Sequence, residues 1–271
     1  MSQAEESSAL NILSDAEKYK AENRADFMKR WFAIALSVGF ATALSRMPWI
    51  EKGLIAKPEL PVDYSQINQA LRLTAATTAT LLSWEGYLNS IRTKPLTDGI
   101  RFYIDVMLVT IYLVLLLTSA SQHFWIWLHV VTFCIYVVWD FLSIGVHRGD
   151  YLLSGDPKSI SRFAVYKGSL LGRPDVRSGP LVTLIWPIYL LSTAVAYQSL
   201  FSASQRASLP VTALFFVLII YGLLGYRNDK GSPSRRPGVR LFRVLAASAF
   251  AVLLALGLSK LGHLEPVIFD F

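Results

Sequence analysis

Residues 123–147 read HFWIWLHVVTFCIYVVWDFLSIGVH. The run is long and apolar enough to cross a bilayer core, which takes about 20 helical residues. A stripe of polar residues nevertheless runs down it. His129, Thr132, Tyr136, Asp140, Ser143 and His147 are spaced 3, 4, 4, 3 and 4. That spacing puts them on one face of an α-helix. The other faces are Val, Phe, Ile, Leu and Trp. Polar groups are costly at membrane depth, so the stripe predicts a face turned into a helix bundle.

Comparable apolar runs recur along the 271 residues, which are 53% hydrophobic and 17% charged, with a mean hydropathy of +0.42. A soluble domain carries about 25% charge. Segments of about ten alternating residues, the mark of a transmembrane barrel, are absent. The fold class that follows is all-α: a polytopic helical membrane protein of about seven spans. These fall at about 31–47, 66–90, 101–119, 123–146, 180–201, 210–226 and 241–261, within a bundle over 31–263. Residues 1–30 form a polar, partly helical segment that does not read as a signal peptide. Residues 148–179 form a basic loop, 227–240 a basic turn rich in Pro and Gly, and 264–271 a tail. The second span is rich in Ala and Thr, with Ala75, Ala79 and Ser83 on one small-residue face suited to close packing. Pro187 is expected to kink the fifth span.

Orientation follows from the bases. With the N-terminus in the cytoplasm, 20 of the 26 Lys and Arg fall on the cytoplasmic side. Only Arg46, Lys52, Lys57, Arg72, Arg206 and Lys260 remain opposite. This is the positive-inside pattern. It also accounts for the net charge of +7 without nucleic acid as a partner. The expected location is the plasma (inner) membrane. The expected partners are membrane lipid and either further copies of the chain or other subunits of a membrane complex. The single cysteine, Cys134, lies within a span and excludes a disulfide framework.

The candidate pathway residues are Glu85, Asp105, Asp140, His129, Tyr136 and His147. In an antiparallel bundle Glu85, Asp105 and Asp140 fall at similar depth in the cytoplasmic half. Carboxylates brought together there hold a proton or a cation. The competing arrangement pairs each acid with a base: Arg101 four residues before Asp105, Arg92 seven after Glu85, His147 seven after Asp140. Arg72 is an outer-side charge that either snorkels to the interface or binds an anion.

No metal site, cofactor motif or catalytic motif appears: CxxC, HExxH, GxSxG and Walker A are all missing. Arg101–Asp105 with Thr110 resembles the third helix of microbial rhodopsins, but the last span has no central lysine to hold retinal. The function these features imply first is a small ion, proton or solute transporter, or a channel-like protein. Behind it stand a non-catalytic subunit, anchor or effector that recruits partners through its N-terminal helix and basic loops, and an intramembrane lipid-modifying enzyme using His147, Asp150 and Asp140.

Overall fold

The computed structural model describes residues 15–47, 50–51, 54–55, 64–93, 96–121, 123–146, 151–153, 160–171, 173, 175–177, 179–231 and 237–261. Its helices are α1 (Asp15–Ser45), α2 (Tyr64–Thr93), α3 (Gly99–Leu117), α4 (Trp125–Val146), α5 (Arg162–Leu171), α6 (Gly179–Leu200), α7 (Ala203–Arg206), α8 (Leu209–Gly231) and α9 (Pro237–Lys260). A two-stranded antiparallel ribbon, β1 (Ile50–Glu51) and β2 (Leu54–Ile55), pairs Ile50 with Ile55. Among the described residues six helices (α1, α3, α4, α6, α8 and α9) are long and apolar enough to cross a membrane. The protein is therefore an all-α polytopic membrane protein.

The α2 helix runs beside them but is less apolar. Its buried Ala75, Ala76, Ala79 and Thr80 bring its backbone close to neighbours, and it packs on α8, α1 and α3.

Cross-links at the helix ends define two layers. At one end Arg24 donates to the carbonyls of Leu96 and Thr97, at 3.1 and 2.7 Å. At the other, Arg72 Nε donates to the Ser119 carbonyl at 2.8 Å, and Arg46 to that of Leu117 at 3.3 Å. Arg206 donates to the carbonyls of Gln198 and Phe201, both at 3.1 Å. Three of the six bases outside the basic layer thus sit on the C-terminal carbonyls of α3 and α6, where unsatisfied C=O groups and the helix dipole favour a cation.

The central post is α6. Of its apolar window 67% is buried, against 39% for α4, and α4, α5, α8 and α9 all pack on it. Close approach of α8 depends on Gly222 and Gly225. A side chain at either would meet the rings of Tyr189 and Trp186. Pro187 lies inside α6 without ending it. Its missing amide leaves the Thr183 carbonyl without its usual intrahelical donor.

One expectation about segments is corrected. The helix expected to end at 226 continues to Gly231, and α9 begins at Pro237. The basic turn therefore shrinks, and Arg227, Asp229, Lys230, Arg240 and Arg243 stand on helices. At the N-terminus the described part of the polar segment, residues 15–30, runs straight into the first span as one helix, α1.

The basic loop is partly folded. Its α5 packs on α6 and α4, and Leu152 bridges Val176. Ile144, Tyr151, Leu152, Val165 and Val176 make a second small core. The 1–14 and 262–271 termini lie outside the described residues, as do His147 and Asp150.

Candidate functional site

The α4 stripe faces inward, as its period predicts. His129, Thr132, Asp140 and Ser143 are buried and Tyr136 is half-buried. Its two halves differ. The His129 ring bonds the Trp125 carbonyl at 2.7 Å and Thr132 the Leu128 carbonyl at 2.8 Å. Both partners are their own helix's carbonyls, four residues back. The lower half, Tyr136 and Asp140, lines a cavity of about 520 Å³ at the basic end of the bundle.

Asp140 is almost fully enclosed there, with its side chain 2% exposed. Lys230 of α8 reaches it at 2.5 Å and also contacts Thr183 Oγ1 at 2.6 Å. The Thr183 hydroxyl of α6 donates to the same carboxylate oxygen. Tyr151, from the folded loop, donates to the other oxygen at 3.4 Å. Three elements therefore converge on one carboxylate of α4. A buried ion pair of this kind tolerates desolvation because further hydrogen bonds fill the remaining lone pairs.

Two Asp–Trp–Arg units flank the cavity. In the first, Trp139 Nε1 donates to Asp105 at 2.6 Å, and the Arg101 guanidinium lies 5.0 Å over the indole. In the second, Trp186 Nε1 donates to Asp229 at 3.1 Å, and Arg243 sits 5.7 Å over that ring while also bonding Asp229. In each, the indole supplies a donor at its edge and a cation-binding face.

Deeper in, hydroxyls from three helices meet. Tyr136 bonds Ser83 of α2 at 2.5 Å and Tyr112 of α3 at 2.8 Å. The Tyr226 ring stacks 5.9 Å from that of Tyr136. Tyr166 of α5, outside the spans, has its phenol pushed up by burial and then by the Asp140 charge, with Lys230 opposing.

The predicted residues thus separate. Asp105, Asp140 and Tyr136 share the cavity. Glu85, on the exposed side of α2, pairs with Arg227 at 3.3 Å, and its neighbour Gly86 lines the wall. His129 lies eleven residues from Asp140, about 16 Å along the helix. Arg72 is at the opposite end. Among the described residues Lys230 and Arg227 hold Asp140 and Glu85; of the bases anticipated for these two acids, His147 and the Arg92 side chain lie outside what is described.

Sequence reasoning missed Thr183, Asp229, Lys230 and Tyr226. One signal was present: 210–226 is only 17 residues, short for a span, so extension into 227–231 was foreseeable. Among the described residues no three His, Cys, Asp or Glu side chains gather to hold a metal ion. No protein-family model, curated protein or solved structure matches the chain. The site must speak through its own chemistry.

Proposed function

We propose that this multi-pass membrane protein is a carrier for a small solute, loaded from the cytoplasmic, basic side of the inner membrane. The cavity supports this. At about 520 Å³ it lies within the ~300–1,000 Å³ of small-molecule sites. It mixes aromatic walls with a few placed polar groups, and it reaches solvent beside exposed Asn89 and Arg177. Beyond it the bundle is packed: Ala75, Trp125, Tyr197 and Phe215 are each no more than 1% exposed. A site open to one side and closed to the other suits a carrier that alternates, rather than an open channel.

The test is uptake into liposomes holding the purified chain, across a panel of small organic solutes, with and without a proton gradient. At least one solute should enter faster than into protein-free liposomes, and Asp140→Asn should slow it. Uptake no greater than the protein-free control across the panel would refute carriage.

A further inference from the structure

We infer that Asp105 is the proton-binding residue of this carrier, taking up and releasing one proton at Oδ2. This deepens the carrier reading and rests on the same cavity.

Three buried aspartates line the cavity, and they are not equivalent. Asp140 has Lys230 and Thr183 on one oxygen and Tyr151 on the other. Asp229 has Arg243 and Trp186. Each of these two has a cation in direct contact to balance its charge. Asp105 has one neutral donor, Trp139, on Oδ1. Its Oδ2 is buried without a hydrogen-bond partner among the described residues, and no lysine or arginine among them forms an ion pair with it. A lone carboxylate is costly to bury with its charge, and a proton removes that charge. Solvent at the cytoplasmic mouth gives up the proton, Oδ2 takes it, and Trp139 keeps its bond to Oδ1.

The helices packed against α3 supply the surroundings. On α3 itself Arg101, one turn before Asp105, lies over the Trp139 ring and donates to Ser90 of α2 at 3.0 Å. It acts on Asp105 at a distance rather than as a contact partner, so the charged form is also reachable. From α2 comes Tyr87, whose hydroxyl is likewise unpartnered and lines the same wall. From α4 come Tyr136 and, across the cavity, Asp140 with its Lys230. From α1, Phe32 lines the cavity, while Arg24 is committed to the Leu96 and Thr97 carbonyls. A proton on Oδ2 also has a way inward. Tyr112 lies seven residues beyond Asp105, about 10 Å deeper along α3. It bonds Tyr136, which bonds Ser83. Hydroxyls both donate and accept, so this chain can pass a proton on.

Two measurements test this. The first does not depend on transport: infrared difference spectra of the full-length chain in uncharged detergent, recorded from acidic to alkaline pH. A protonated buried carboxyl shows a C=O band that shifts in deuterium oxide. One such band should titrate, should be missing from Asp105→Asn and should persist in Asp140→Asn. No titrating band, or one that survives Asp105→Asn, overturns the inference. The second uses liposomes and a solute that enters in the uptake panel. With one proton moved per solute, a proton gradient of about tenfold should change accumulation by up to about tenfold. In Asp105→Asn the ratio of accumulation with and without the gradient should fall to about one. A ratio equal to that of the wild type overturns the inference. Absence of uptake for every solute would sink the carrier reading alone, and the titrating band would still decide whether Asp105 binds the proton.

Discussion

Replacing Lys230 with alanine removes the cation 2.5 Å from Asp140 and leaves a carboxylate whose side chain is 2% exposed. Breaking a buried pair from one side costs about 3–5 kcal/mol, mostly because a charge is stranded. Two features put this case near the lower end. The Lys230 side chain is itself 26% exposed, and Thr183 and Tyr151 still donate to Asp140. The expected loss is about 3 kcal/mol. Asp140→Asn should cost less, about 1 kcal/mol, because the freed lysine can extend toward the interface. Replacing both, Asp140→Leu with Lys230→Met, should be milder than Lys230→Ala alone, since no charge remains buried. The assay is unfolding in mixed micelles of rising sodium dodecyl sulfate fraction, followed by circular dichroism. If Lys230→Ala is no worse than Asp140→Asn, or the double variant equals the sum of its singles, the pair is not coupled and the reasoning fails.

Further outcomes follow from the same contacts. Trp186→Phe keeps an aromatic face but replaces the buried indole with a smaller ring and removes the Nε1 donor to Asp229, and should cost at least about 1–3 kcal/mol in the same unfolding assay. Gly225→Ala should destabilise, because its methyl lands on the Trp186 ring, whereas Gly257→Ala meets nothing and should gain about 0.5–1 kcal/mol from helix propensity. Tyr166 holds its proton above the ordinary value of 10.0. Between that value and the raised one the unfolded chain loses a proton that the folded chain keeps, so stability falls as pH rises. Tyr166→Phe should flatten that alkaline decline in pH-dependent unfolding. With Cys134 replaced by Ser, single cysteines at Ala203 and Lys167 should react with an impermeant maleimide from opposite faces of sealed vesicles. Labelling of both from one face would contradict the antiparallel layering.

The amino-acid sequence by itself determined the class of fold and the inward face of α4. Both depend on local quantities: apolar run length against bilayer thickness, and the period of a helix. They read Asp140, Tyr136, Thr132 and Ser143 onto one interior stripe, where the structure places them. Tertiary structure decided which half of that stripe is wet and which base answers which acid. Lys230 is 90 positions from Asp140, so no local spacing connects them. The pair exists because α8 extends to Gly231 and packs on α6, and because Gly222 and Gly225 admit the rings of Tyr189 and Trp186. Glu85 shows the opposite case. Its depth was legible from the span, but its direction around α2 was not, because an Ala- and Thr-rich helix offers weak contrast between faces. Only packing on α8 and α1 turned Glu85 outward, to Arg227, and left Asp105 and Asp140 to share the cavity.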